Sequence, residues 1–288
     1  MEHKFFQKPT IYVDEVNINV TNLEHSLAFY CDFMGFNILE KTDRKATLTA
    51  DGKTPILTLE QPEGVTPKER RTTGLYHFAI LLPTRKDLGA FLKHFIEQKG
   101  REVQLGAADH FVSEALYFND PDGNGIEIAR DRPSEGWKWQ DGIVDMGTVN
   151  LDAEGILRDA EGETWSGMPA DTRMGHIHLH VANLEETEKF YVEGLGFQIV
   201  TRFPGALFAS TNGYHHHIGL NIWNGEGAKQ PSANSVGLNW FTLVFPDEAK
   251  RQETEERIRK VGGTIRSEAD VRITEDPSGN VIRMVLEK

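Results

Sequence analysis

Eleven histidines occur in the 288 residues, and six of them fall in two short runs. His176, His178 and His180 alternate along GHIHLHV (175–181); His215, His216 and His217 stand together before IGLNIW (218–223). At the strand period, alternation puts the first three on one face and Ile177, Leu179 and Val181 on the other. His77 lies in GLYHFAILLP (74–83), and Glu127 in GNGIEIA (123–129). Two histidines and a carboxylate make the facial triad of non-haem Fe(II) oxygenases, which leaves positions open for substrate and O2. Mn(II) is an alternative occupant of such N/O sites. Zn(II), held by the same ligands in hydrolytic sites, fits less well.

The elements that must position these residues come from an internal repeat. VNINVTNLEHSLAFYCDFMGFNIL (16–39) returns as IHLHVANLEETEKFYVEGLGFQIV (177–200) at a constant offset of 161, without a gap. Each copy reads as a short alternating strand, an Asn N-cap (Asn22, Asn183), a helix with apolar residues at helical spacing, and a Gly stop (Gly35, Gly196). A weaker repeat fills the remainder: GLYHFAILLP (74–83) resembles GLNWFTLVFP (237–246), and DPDGNGIEIA (120–129) resembles DPSGNVIRMV (276–285). The chain is therefore four β-α-β-β-β units, at about 10–61, 74–130, 174–224 and 237–288. The Asp, Pro and Gly of 120–125 mark a turn rather than a phosphate site.

The copies keep the scaffold and differ in the polar residues. His176 aligns with Glu15, His77 with Trp240, and Glu127 with Arg283. A polar set present in modules 2 and 3 and replaced in modules 1 and 4 points to one site, built where modules 2 and 3 meet. Arg283 would repel a cation, so the 1/4 pairing reads as structural. Residues 131–173 break the pattern with Trp137, Trp139, Trp165, several Gly and many acids. This stretch reads as a strap between an N-terminal domain (1–130) and a C-terminal domain (174–288) rather than as a cover over a site.

Composition excludes several classes. Thirty-one basic and 44 acidic residues give a net charge of −13, which argues against nucleic acid and anionic membrane as partners. No apolar run approaches the ~20 residues of a membrane span. MEHKFFQKPT carries no signal-peptide core, so a cytoplasmic location is expected. Cys31 is the single cysteine, which excludes internal disulfides and Cys-rich zinc sites; it reads as a small buried hydrophobe.

GHIHLHVANL (175–184), FYVEGLGF (190–197) and YHHHIGLNIW (214–223), together with the repeat, resemble the vicinal oxygen chelate superfamily. Within it the chain resembles two-domain extradiol dioxygenases of the catechol 2,3-dioxygenase type, over nearly all of its length except 131–173. The resemblance implies an α+β fold: four βαβββ modules forming two similar domains with cupped mixed sheets. It implies Fe(II), or Mn(II), held by His77, Glu127 and His176. It makes His216 the acid/base, with His217 as the alternative, because strand parity places His217 on the face of Gly219. Tyr117, ten residues before Glu127, and His110 match family residues that hydrogen-bond the substrate. His178 and His180 would line the cup. Glyoxalase I resembles this set but adds a fourth protein ligand, a Glu on the strand that here reads HHHIGLNIW, which has no carboxylate.

The expected reaction is ring cleavage of a small aromatic diol by O2, giving a hydroxymuconic semialdehyde, in a protein for which a homodimer stays open. The alternatives are a glyoxalase-like metal-dependent lyase or isomerase, a non-catalytic small-molecule binder of the same fold, and cleavage of hydroquinones. Extradiol enzymes build their site from modules 3 and 4. Here the ligands fall in modules 2 and 3, so the modules must pair differently or through a swapped dimer.

Overall fold

The structure, a computed structural model, describes residues 2–99 and 103–287. Module 1 contains β1 (Tyr12–Asn19), α1 (Leu23–Leu27), β2 (Asn37–Lys41), β3 (Lys45–Thr49) and β4 (Leu57–Glu60). Module 2 contains β5 (Gly74–Leu81), α2 (Arg85–Lys99), β6 (Gly106–Asp109), β7 (Ser113–Asn119) and β8 (Gly125–Asp131). Two short strands, β9 (Trp139–Gln140) and β10 (Ile143–Val144), and α3 (Ala153–Asp159) follow in the connecting segment. Module 3 contains β11 (Arg173–His180), α4 (Leu184–Lys189), β12 (Gln198–Phe203), β13 (Ala206–Ser210) and β14 (Ile218–Asn221). Module 4 contains β15 (Gly237–Phe245), α5 (Glu248–Lys260), β16 (Arg266–Glu268), β17 (Val271–Glu275) and β18 (Val281–Leu286).

Local sequence explains each start and stop. The side chains of Asn22 and Asn183 accept the backbone N–H of His25 and Glu186 at 2.9 and 3.0 Å, satisfying helix-end donors. Both helices are short. Each continues as a π turn, Ala28–Phe33 and Phe190–Gly194. Gly35 and Gly196 then take φ of +89° and +88°, a left-handed stop that glycine adopts without strain. Tyr30 and Tyr191 lie on the two π turns, fully buried. Their hydroxyls donate to Asp120 at 2.9 Å and Asp276 at 3.1 Å. Each of those carboxylates also accepts backbone N–H groups of its own turn, from Asp122 and Asn124 or from Ser278 and Asn280. Module 1 is thereby tied to module 2, and module 3 to module 4.

The sheets join the modules the other way. One eight-stranded mixed sheet runs β16-β17-β18-β15-β1-β4-β3-β2, and the other runs β12-β13-β14-β11-β5-β8-β7-β6. The first strands meet antiparallel at each centre, β1 with β15 and β11 with β5. Within each module the first and last strands run parallel. This is the α+β fold of four βαβββ modules expected from the sequence. Each sheet takes one module from either half of the chain, so the division at 131–173 does not coincide with the division between sheets. Modules 2 and 3 share a sheet within one chain, and no swapped dimer is needed to unite them.

The core lies between the helices and the inner sheet faces, with Val16, Ile18, Ile177, Leu179 and Phe241 fully buried. Where modules 1 and 4 meet, the Arg283 guanidinium lies over the Trp240 ring, 4.6 Å from its centroid. Glu15 accepts the Thr58 hydroxyl at 2.5 Å. A stacked cation thus occupies the half of the molecule that lacks the candidate ligands. Among the described residues no helix is long and apolar enough to cross a membrane.

Candidate metal centre and its cavity

His176, His77 and Glu127 stand on three neighbouring strands, β11, β5 and β8. The register sets them side by side: Ala79 pairs with His176 on one flank and with Glu127 on the other. The methyl of Ala79 keeps the middle of that row low, and His77, two residues away, shares its face. Gly125 pairs with His77. A Cβ there would come within 2.1 Å of the Tyr76 carbonyl oxygen, so only glycine lets β8 lie this close to β5.

The three donor atoms converge. His77 Nε2 and His176 Nε2 each lie 3.0 Å from Glu127 Oε2 and 3.3 Å from each other. All three side chains are buried. Ligands at cis positions of an octahedron with bonds of about 2.1 Å stand about 3.0 Å apart, so the spacing fits a divalent ion. Burial alone would raise the Glu127 carboxyl, but the adjoining His176 and His77 outweigh it and hold it well below the usual carboxylate range. Among the described residues this is the one cluster of His, Cys, Asp or Glu with ligand spacing. No carboxylate from β14 joins it.

A cavity of about 560 Å³ opens over the triad. His216, Tyr117 and His110 all border it. The His216 ring lies 4.0 Å from that of His176, and burial, with the neighbouring histidines, keeps it well below its usual pKa. His110 Nδ1 lies 2.7 Å from the Gly147 carbonyl oxygen. A carbonyl only accepts, so Nδ1 carries the proton and, in the neutral ring, Nε2 accepts from the Tyr117 hydroxyl at 2.7 Å. Burial and the charge of Glu127 push the Tyr117 phenol well above its usual range.

His178 also borders the cavity, and its buried Nε2 has no hydrogen-bond partner among the described residues. His180 and His217 do not border it. The His180 Nδ1–H donates to the Asn221 side-chain oxygen at 2.7 Å. His217 is enclosed, with Nε2 3.1 Å from the Phe5 carbonyl oxygen. The parity that favoured His217 fails because β14 begins only at Ile218, so alternation does not extend back through 215–217. Cys31 is half-buried, and burial raises its thiol to about 11.

The family follows from the chain's likeness to known proteins. The model of the glyoxalase/bleomycin resistance protein/dioxygenase superfamily matches residues 12–128 and 173–284. The chain belongs to this superfamily. The catechol-2,3-dioxygenase of Bacillus subtilis (strain 168) is 46% identical over 280 residues, covering 96% of this chain and 97% of that one. The biphenyl-2,3-diol 1,2-dioxygenase 3 of Rhodococcus globerulus is 33% identical over 106 residues, 36% of this chain and 54% of that one. Glyoxalase I from Zea mays shares the fold, with a TM-score of 0.56 and 17% identity over 96% of this chain and 92% of that one.

Features that the sequence reading missed complete the lining of the cavity. Met146, Gly147 and Thr148 of the connecting segment border the cavity. The segment is therefore part of the wall and not a strap alone. Trp165 does act as a strap, with its Nε1 donating to the Met34 carbonyl at 3.1 Å. Tyr76, Phe203, Phe208 and Trp223 form an aromatic wall. Tyr76 and Trp223 were visible only as strand residues, and nothing in their spacing marked them.

Proposed function

We propose that this protein is an extradiol ring-cleaving dioxygenase that uses Fe(II), with Mn(II) as the alternative, on catechol or an uncharged substituted catechol. The observation that carries the reading is the buried His77–Glu127–His176 triad, with no fourth protein ligand among the described residues, beneath a cavity that His216 borders. The dioxygenase names of its relatives support it. His77, Glu127 and His176 would hold the ion. When bound, the ion supplies Lewis acidity that lowers the pKa of a catechol hydroxyl, and redox chemistry with O2.

The chain's own groups do the rest. His216, neutral and beside His176, takes a hydroxyl proton and later returns one. The Tyr117 oxygen, its proton donated to His110, accepts a hydrogen bond from a substrate hydroxyl. The aromatic wall offers apolar ring faces and edges against which the substrate ring can pack. A dry cavity of about 150 Å³ suffices for benzene, so about 560 Å³ leaves room for ring substituents. Among the described residues no Lys or Arg borders the cavity, which favours uncharged substituents over carboxylated ones. Residues 1–130 and 174–288 each supply one module to each sheet, and residues 131–173 connect them and contribute to the wall.

The test is a single-turnover reaction of Fe(II)-loaded protein with catechol under 18O2. The expected product is a ring-opened semialdehyde that contains both oxygen atoms of O2. Product without label, or turnover of a thiol adduct in the absence of O2, would overturn the reading.

A further inference from the structure

His215 has no assigned part in the site, yet its environment is built around it. It is almost completely buried, and the edge of the Trp137 ring packs on it at 5.0 Å between centroids. Its Nε2 lies 2.9 Å from Asp131 Oδ1. The other oxygen of Asp131 accepts the Tyr214 hydroxyl at 2.9 Å. On its far side, His215 Nδ1 lies 2.9 Å from His216 Nδ1. The His216 ring in turn packs, tilted, against that of the candidate ligand His176. Asp131, His215 and His216 therefore form one continuous chain that ends at the cavity.

The chain has a direction. A carboxylate accepts only, so His215 donates its Nε2–H to Asp131. With one proton on each ring, His215 Nδ1 is then a bare acceptor. The 2.9 Å contact between the two Nδ1 atoms is a hydrogen bond only when His216 carries its proton on Nδ1. That leaves the lone pair of His216 on Nε2, the nitrogen not engaged by His215. We propose that Asp131 and His215 are positioning residues that fix His216 as the Nδ1–H tautomer, so that it meets the substrate as a base. In its kinetic consequence this rests on the dioxygenase reading above; in its placement of the proton it does not.

The same logic governs a serine protease's buried aspartate, whose amide replacement leaves the geometry and presents the wrong tautomer, at a cost of about 10⁴ in turnover. Here the carboxylate acts across one further ring. Loss of a positioned general base costs on the order of 10²–10⁴-fold, which is the range expected for Asp131→Asn.

The test uses 15N-histidine-labelled protein loaded with Zn(II), a diamagnetic probe of the candidate site. His216→Asn identifies the His216 signals. The expected result is one proton on His216 Nδ1 in the wild type, and its transfer to Nε2 in Asp131→Asn. Fe(II)-loaded Asp131→Asn is expected to keep its metal and its KM for catechol while kcat falls 10²–10⁴-fold. A wild-type His216 protonated on Nε2, or a His215 protonated on both nitrogens, overturns the proposal without any need for a variant. So does an Asp131→Asn protein with an unmoved tautomer and kcat within tenfold, or one that loses metal and KM in step with kcat, as a merely structural role requires. Absence of oxygen uptake in the wild type would count against the dioxygenase reading and leave the proton placement to be decided by the spectra.

Discussion

Gly219 offers the sharpest perturbation of the cavity wall. It sits on β14 opposite His178 of β11. A Cβ there would stand 2.7 Å from His178 Cγ and 2.8 Å from its Cδ2. Carbon contacts settle near 3.5 Å, so in Gly219→Ala the ring must retreat by about 0.8 Å. His77, Tyr76, Phe208 and Trp223 flank it with ring centroids at 4.9–5.4 Å, so it must press on these rings or swing into the cavity that it borders. Overpacking of this kind costs about 1–3 kcal/mol. A displacement near 1 Å at the edge of an active site costs on the order of 10²-fold in rate. Gly219→Ala should therefore unfold at lower urea, keep its metal, and lose kcat/KM on catechol by one to two orders of magnitude. The decisive control is the same change in a His178→Ala background, where the ring is gone. There the stability cost should fall below about 0.5 kcal/mol, since the two residues are in contact and their effects cannot add. An equal cost in both backgrounds would refute the packing argument.

Tyr30→Phe and Tyr191→Phe each delete a hydroxyl that donates to a buried carboxylate. Each should cost about 1.5–3 kcal/mol in denaturant unfolding, and a cost near zero at either would contradict the tie between modules. Gly125→Ala places a methyl 2.1 Å from backbone, at the Tyr76 carbonyl. It should part β5 from β8 and lower metal occupancy as well as stability; full occupancy by metal analysis would count against this. Burial lowers His180 to about 4 and His217 to about 3. Their folded values lie below the unfolded value of about 6.5, so the unfolded chain binds more protons as pH falls through that window. Metal-free protein should then lose about 1.4 kcal/mol per pH unit for each group between about pH 6 and 4. Urea midpoints for the wild type and His217→Gln should show a shallower slope in the variant.

Much of the scaffold was legible because one solution is written twice. Asn22 and Asn183, Gly35 and Gly196, and Tyr30 and Tyr191 recur in register, and each does the same local work in both copies. The candidate ligands were legible for the opposite reason: Glu15, Trp240 and Arg283 stand where His176, His77 and Glu127 would, so the departures from the repeat marked the site. Sheet pairing was less accessible. Every first strand carries the same period-two pattern, which accepts any partner strand equally. The pairing of β5 with β11 could be inferred only from where the polar set lay. The wall residues Met146, Gly147 and Thr148 escaped notice because their stretch has no period to read. His215 and Asp131 are 84 residues apart, and neither type nor spacing ties them together. The choice between His216 and His217 turned on where a strand begins, which alternation alone does not reveal.

The central claim is that the His77–Glu127–His176 triad holds the ion that makes this an oxygen-consuming enzyme. Oxygen uptake after anaerobic Fe(II) reconstitution and addition of catechol, run beside Glu127→Ala, tests it most directly. The account predicts one O2 consumed per catechol with a yellow product in the wild type, and neither metal nor uptake in the variant. Full uptake in Glu127→Ala, or a wild type that binds Fe(II) at the triad and consumes no O2 with any uncharged catechol, would contradict it.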